Sequence, residues 1–211
     1  MLRLSGLTPF AKGGMRMVFA HPDDPSLIVK VLKPEILARW RSRSMIRRMR
    51  RTGPYRVFFR ELEEQIALIN SGETDLSFVQ QIVGMAHSDM GPAVMSTAIL
   101  DANGKYAPTI RELVRTNGLT SELEERLEDF CQKILSSSVI VEDLNPGNIV
   151  HGSEDGSAPR LVLIDGVGEK NWVPMNSVSP AWNRRTKLRQ IRRLKSLIER
   201  TILRAKTSIA I

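Results

Sequence analysis

Apolar residues follow two spacings along the 211-residue chain, which separate a sheet-forming first half from a helix-rich second half. Short apolar, β-branched runs at about 15–20, 27–32, 82–87 and 93–100 predict the strands of an antiparallel sheet. Apolar residues at 58, 59, 62, 66 and 69 recur at helical spacing and predict one helix near 57–70. The first half is therefore expected to be a sheet that carries one main helix.

The second half begins after a link at 101–108 that is rich in turn-forming residues. Thr109 and Thr120 stand where N-caps would begin helices over 110–117 and 121–137. Short strands are predicted at 139–142, 148–151 and 160–165, and they are followed by a helix over 183–206. We therefore predict an α+β fold of two lobes, residues 1–101 and 102–211.

Three polar residues near the short strands have the types and spacing that phosphoryl transfer requires. Residues 141–150 read V-E-D-L-N-P-G-N-I-V, and residues 161–166 read L-V-L-I-D-G. The reaction needs one carboxylate to orient the attacking hydroxyl, and an amide oxygen and a second carboxylate to hold Mg²⁺ against the phosphates. Asp143 is the candidate for the first role, and Asn148 and Asp165 are the candidate metal ligands.

A candidate nucleotide-binding loop lies earlier in the chain. Gly13 and Gly14, followed by Val18, stand where a glycine-rich loop would cover the phosphates. An ordinary tight turn between two strands has the same appearance, and the two interpretations remain open.

Lys30 lies inside an apolar strand, where a cation needs either access to water or a carboxylate partner. In a kinase-like arrangement it would hold nucleotide phosphates while paired with a glutamate on a helix. Glu61 on the predicted helix 57–70 is the favoured partner. Glu64 lies one turn further along nearly the same face and is the alternative.

In this order, the motifs resemble those of the protein-kinase-like superfamily, whose catalytic loop H-R-D-L-x-x-x-N reads V-E-D-L-N-P-G-N here. The opening L-R-L-S, the following A-K-G-G-M-R-M-V-F-A-H-P and F-R-E-L around Glu61 are more specifically similar to the PhoP regulatory network protein YrbL family. The resemblance implies a minimal two-lobed kinase-like fold that binds ATP and Mg²⁺, without a defined substrate. Val141 and Glu142 replace the usual His and Arg, and Gly166 replaces the usual Phe.

Composition limits the class and location of the protein. Cys131 is the single cysteine and lies on the apolar face of a predicted helix, so core packing is expected and no intramolecular disulfide can form. No stretch reaches the roughly 18 apolar residues of a membrane span, and no apolar signal core is visible, so we expect a cytoplasmic protein. The three histidines are scattered, which argues against a zinc site.

The net charge of +8 comes from two basic segments. Residues 39–60 hold nine arginines and no acid, and the part of this segment at 39–51 is expected to form an exposed helix or an unfolded arm. Residues 184–206 hold ten basic residues against Glu199, and apolar residues at every third or fourth position predict a helix that buries one stripe and exposes Lys187 and the arginines. The arginines are either solvated or attract an anionic lipid surface, a phosphorylated substrate or a nucleic acid, and no nucleic-acid-binding motif supports the last.

Two hypotheses of different classes follow. In the first, the protein is a kinase for a hydroxyl of a small molecule or a lipopolysaccharide-type acceptor, with Lys30 orienting ATP and Glu61 holding Lys30. In the second, it is an inactive kinase-like module that recruits an anionic partner through its arginine segments. The retained Asp143 favours the first, and the degenerate glycine loop favours the second.

Overall fold

The computed structural model describes residues 1–42, 51–169 and 174–209, and the chain divides into two compact units. The first unit contains Met1–Leu62 and Gln81–Ala98, and the second contains Glu63–Gln80 and Ile99–Ile211. Residues 63–80, which lie within the predicted first lobe 1–101, belong to the second unit. The reason is that Leu68, Phe78 and Val79 pack in the main hydrophobic core of that unit.

A five-stranded antiparallel sheet forms the first unit. The strands are β1 (Ala11–Lys12), β2 (Arg16–Ala20), β3 (Leu27–Leu32), β4 (Ile82–Ser88) and β5 (Gly91–Thr97). Their order in the sheet is β1-β2-β3-β5-β4. The four predicted strands are present close to their predicted bounds, and the two-residue β1 is additional.

Two helices accompany the sheet, α1 (Pro34–Arg41) and α2 (Arg56–Asn70), and a short 3₁₀ turn precedes α2. Helix α2 confirms the predicted main helix, and its Phe58 is buried against Leu32 and Val94. The first arginine-rich segment begins within α1, but its residues 43–50 lie outside the described residues.

The second unit combines helices with a two-stranded antiparallel hairpin, which confirms the predicted α+β class. The elements are α3 (Ile110–Asn117), α4 (Ser121–Ser136), β6 (Ile149–Gly152), β7 (Arg160–Leu163), α5 (Met175–Val178) and α6 (Pro180–Ile209). Thr109 begins α3 through a reciprocal capping box with Glu112, and Thr120 caps α4 by accepting a backbone N–H, as predicted.

The core of the second unit is mostly aliphatic and includes Cys131, whose burial raises the pKa of its thiol to about 11. Ile191, Leu194 and Ile198 supply the predicted apolar stripe of α6. The prediction that Lys187 is exposed was wrong, because this residue is 2 % exposed. Within the described ranges, no helix is both long and apolar enough to cross a membrane.

Residues 139–142 do not form the predicted strand. They belong to an extended segment in which Val141 makes an isolated bridge with Val167, and in which backbone carbonyls accept hydrogen bonds from side chains of α6. The apolar residues of this segment are buried as a strand's would be. Part of its backbone pairs with Gly166 and Gly168, and side chains satisfy several of its other polar backbone groups.

Candidate functional site

Asp143, Asn148 and Asp165 lie at one end of the β6–β7 hairpin in the second unit. Asn148 precedes β6, and its carbonyl accepts the N–H of Ile164 at 2.8 Å. The N–H of Asp143 donates to the carbonyl of Gly166 at 3.2 Å. Antiparallel pairing therefore brings the candidate catalytic loop, residues 143–148, to the residues that follow β7.

The side chain of Asn148 is oriented by this loop. Its Nδ2 donates to the carbonyl of Asp143 at 3.1 Å, while its Oδ1 makes no hydrogen bond within the described residues. Asp165 is partly exposed, and its Oδ1 accepts the N–H of Gly166 at 2.6 Å. Because amide and carboxylate oxygens are ligands that Mg²⁺ prefers, this donor set fits a magnesium ion that also takes phosphate and water oxygens.

Gly166 departs from the kinase pattern for a physical reason. Its φ is +92°, and a Cβ atom at this position would lie 2.5 Å from the carbonyl oxygen of Asp143. L-residues with a side chain rarely adopt this backbone conformation, and the carbonyl leaves no room for one. The close approach of Asp143 to the segment after Asp165 therefore requires glycine at 166.

Two polar side chains that the sequence did not single out contact the carboxylate of Asp143. Asn145 donates from Nδ2 to Oδ2 at 3.1 Å, and Arg193 of α6 forms an ion pair with Oδ1 at 3.6 Å. Asn145 also accepts the N–H of Gly147 at 2.9 Å, an Asx turn of the kind that the sequence N-P-G favours. Local sequence could therefore have indicated Asn145, whereas Arg193 is separated by 50 positions and could not be found from spacing.

A row of α6 side chains supports the extended segment before Asp143. The row consists of Asn183, Lys187 and Gln190 and is called the α6 donor row below. Asn183 donates to the carbonyls of Ser138 and Val139 at 3.0 and 3.1 Å, Lys187 to that of Ser137 at 2.6 Å, and Gln190 to that of Glu142 at 2.7 Å. The spacing of the three donors keeps them on one side of the helix. This side of α6 therefore fixes the backbone that leads into the candidate catalytic loop.

Glu64 supports the same segment from α2. Its Oε1 accepts the N–H of Ile140 at 2.6 Å. Burial raises the pKa of Glu64 to about 7, although the Ile140 hydrogen bond and the Lys187 charge oppose this rise. Burial also lowers the pKa of Lys187 to about 8, against the attraction of Glu73 and Glu64. Glu64 thus has a structural partner in the second unit.

In the first unit, Lys30 is buried at the centre of β3, between Val18 of β2 and Val94 of β5. Gly13 and Gly14 are exposed between β1 and β2, where the N–H of Gly13 donates to the carbonyl of Arg16 at 3.0 Å. The two glycines therefore form a tight turn between strands. Such a turn is compatible with both interpretations of the glycine loop.

Glu61 is buried and binds Arg16 of β2. Its carboxylate accepts a hydrogen bond from Nη1 of Arg16 at 2.8 Å and a second from Nη2, and the guanidinium lies 5.3 Å from the centre of the Phe58 ring. Arg16 pairs with Leu32, and Val18 with Lys30, so Arg16 and Lys30 share one face of the sheet. The sequence did not single out Arg16, because its register against β3 cannot be read from spacing. The Lys30–Glu61 pair remains a prediction.

Comparison with known proteins identifies the family. The sequence model of the PhoP regulatory network protein YrbL family matches residues 2–199. The chain belongs to this family. The proteins YrbL of Escherichia coli (strain K12) and of Shigella flexneri are each 24 % identical to it over 197 residues, which cover 92 % of this chain and 84 % of each relative.

Similar solved structures include two double-mutant forms of the Mycobacterium tuberculosis PknI kinase domain. They are 18 % and 16 % identical in sequence, each with a TM-score of 0.44. The matched region is 75 % of this YrbL-family chain and 56 % or 58 % of the kinase domain, so the chain spans less than two thirds of that domain's length.

In this YrbL-family protein, the predicted site residues form two groups. Gly13, Gly14, Val18, Lys30 and Glu61 are in the first unit, and Asp143, Asn148 and Asp165 are in the second. In addition to the predicted residues, Arg16 contacts the first group, and Asn145 and Arg193 contact the second. The Arg16–Glu61 contact of the first group is buried, whereas the polar contacts of the second group are partly exposed.

Proposed function

We propose that this YrbL-family protein binds Mg-ATP on a kinase-like fold and transfers a phosphoryl group to a hydroxyl of a small molecule or of a lipopolysaccharide-type acceptor. The observation that carries the proposal is the convergence of Asp143, Asn148 and Asp165 at the end of the β6–β7 hairpin. Bound magnesium would neutralise charge on the phosphates. Its protein ligands would be Asn148 and Asp165.

The other residues have separate roles in the proposed reaction. Asp143 orients the attacking hydroxyl and accepts its proton, and Asn145 orients the carboxylate of Asp143. In the first unit, Lys30 holds the phosphates beside the Gly13–Gly14 turn and Val18, with Glu61 as its proposed carboxylate partner.

A second candidate function is a binding module without turnover. The ion pair between Arg193 and Asp143 favours it, because a cation on the candidate catalytic carboxylate competes with the acceptor hydroxyl. Such a module would bind Mg-ATP through the same residues and would recruit an anionic partner through its arginines.

Thermal unfolding in the presence of ATP, with and without Mg²⁺, tests nucleotide binding. We expect metal-dependent stabilisation that is lost in Asp165→Ala and retained in Asp155→Ala, a matched change in the loop between β6 and β7. The absence of any shift at millimolar nucleotide would contradict both functions. Stabilisation without ATP turnover would select the binding module.

A further inference from the structure

A cleft of about 610 Å³ lies between α3 and α6 in the second unit, beside the candidate catalytic loop. Its size is within the range of small-molecule sites in proteins. Four of the described residues that line it are arginines, two from each helix, and none of these described residues is acidic. The four arginines are called the arginine cleft below, namely Arg111, Arg115, Arg200 and Arg204.

Within the part of the chain that the structure describes, no carboxylate neutralises the charges in the arginine cleft, because none of the four arginines forms an ion pair with one. Each helix places its two arginines four positions apart, where like charges repel. Because α3 packs against α6, the two pairs of arginines lie in the same cleft. A bound polyanion would relieve this repulsion.

The side-chain type narrows the class of ligand. A guanidinium group is a planar fork of N–H donors that binds two oxygens of a phosphate at once, which a lysine ammonium cannot do. Pro146, Leu197 and Ala205 add apolar surface to the same cleft. The lining therefore suits a molecule that combines phosphate groups with a carbon skeleton.

A chain of hydrogen bonds connects the arginine cleft to Asp143. Nη2 of Arg111 donates to Oδ1 of Asn145 at 3.2 Å, and Nδ2 of Asn145 donates to Oδ2 of Asp143 at 3.1 Å. The guanidinium of Arg111 also packs closely over Gly147, where a Cβ atom would lie 3.0 Å from it. Asn145 therefore links Arg111, in one wall of the cleft, to the candidate catalytic carboxylate of Asp143.

We propose that the arginine cleft binds a small molecule that carries two or more phosphate groups, and that this molecule is the phosphoryl acceptor. The second part rests on the proposed function. A hydroxyl of the bound molecule would attack the γ-phosphorus of ATP, forming a new O–P bond while the bond to ADP breaks. The hydroxyl proton passes to Asp143 and from there to solvent. The first part is independent of nucleotide binding.

Titration calorimetry with tripolyphosphate tests the binding site directly, in EDTA and without nucleotide. We expect saturable binding at one site that weakens by about tenfold or more in Arg111→Gln/Arg115→Gln and in Arg200→Gln/Arg204→Gln, because each removes two charge-assisted contacts. Arg189→Gln/Arg192→Gln is the matched control, since it removes the same charge from exposed positions of α6 outside the cleft. The affinity of this control variant for tripolyphosphate should stay within about twofold of that of the parent protein.

Further variants and probes separate this proposal from the proposed function. Asp165→Ala should lose Mg-ATP binding and keep tripolyphosphate binding, so either property can fail without the other. Equal weakening in the cleft variants and in the control would overturn the cleft as a site. So would binding to vesicles that contain phosphatidylglycerol without any binding of tripolyphosphate, because that result assigns the arginines to a membrane surface. Thermal unfolding of each variant shows that the comparison is between folded proteins.

Discussion

The backbone N–H of Ile140 donates to the carboxylate of Glu64 at 2.6 Å, in the second unit of the protein. Gly166 and Gly168 pair with the backbone of Glu142 and Ile140 on one side of this segment, and Glu64 supplies the acceptor for the N–H of Ile140. Burial raises the pKa of this carboxyl to about 7. The backbone that leads to Asp143 is therefore held by a group that titrates near neutral pH.

The contribution of Glu64 to the free energy of unfolding should fall as the pH rises from about 5 to 7.5. Because the pKa of Glu64 is about 7 in the folded protein, against an ordinary value of 4.5, the folded protein retains a proton that the unfolded chain has lost. This contribution is fully present below the pKa that Glu64 has in the unfolded chain, and it is lost as the pH passes 7. It should be on the order of 3 kcal/mol.

Glu64→Gln checks this pH dependence, since glutamine keeps a carbonyl acceptor for Ile140 but does not titrate. In urea unfolding from pH 5 to 7.5, the free energy of unfolding of the parent should fall steadily relative to that of the variant. Glu63→Gln, at an exposed position of α2, should follow the parent. Parallel curves for Glu64→Gln and the parent would show that Glu64 does not titrate in this range.

The buried pair of Arg16 and Glu61 should contribute strongly to the stability of the first unit. Their side chains are each 6 % exposed, and the carboxylate accepts two hydrogen bonds from the guanidinium. Removing one member of a buried pair leaves the other charge poorly compensated, so Glu61→Ala should lower the free energy of unfolding by about 3 kcal/mol.

Urea unfolding of Glu61→Ala beside Glu63→Ala measures this effect. Glu63 is exposed, and its loss should change stability by no more than about 0.5 kcal/mol. A similar loss in both variants would mean that the Arg16–Glu61 pair adds nothing beyond general helix effects.

Gly166→Ala should destabilise the second unit more than Gly156→Ala. Both glycines have positive φ, at +92° and +74°, but a Cβ atom at 156 meets nothing within 4 Å. Gly156→Ala should therefore cost about 1 kcal/mol for backbone conformation. Gly166→Ala should cost about 3 kcal/mol or more, because it also displaces the carbonyl of Asp143. Equal midpoints in thermal unfolding would contradict the close approach at residue 166.

Asp143→Ala should lower ATP turnover by about 100-fold or more and leave the affinity for Mg-ATP nearly unchanged. The reason is that a general base acts on the hydroxyl and its proton, whereas Asn148 and Asp165 bind the metal. Single-turnover ADP formation and nucleotide titration measure the two properties separately. Asp155→Ala is the control for removing a carboxylate. Loss of turnover and binding by the same factor would assign Asp143 to the metal site instead.

Local pattern was enough to predict most of the elements. Apolar, β-branched runs predicted the longer strands of the sheet, helical spacing predicted α2 and α6, and Thr109 and Thr120 marked the starts of α3 and α4. It failed for residues 139–142, because an apolar run indicates burial without indicating what satisfies the backbone. It failed for Lys187 as well, because a buried lysine depends on carbonyls that are distant in sequence.

The candidate site was predictable only where its chemistry lies in one segment. Asp143, Asn148 and Asp165 could be named from spacing, and the hairpin brings them together. Arg16 and Arg193 could not be singled out, because their contacts depend on strand register and on the packing of α6. The arginine cleft shows the same limit, since its two pairs of arginines are about 90 positions apart.

The α6 donor row also has a consequence for biosynthesis. The ribosome makes residues 137–142 before it makes Asn183, Lys187 and Gln190, which satisfy the carbonyls of that segment. A nascent chain that ends before α6 leaves these carbonyls, and the loop at Asp143, without that support. The support of the candidate catalytic loop is therefore completed only after translation has passed residue 190, and a truncated product would contain every residue of the loop but lack the α6 contacts to the segment that leads into it.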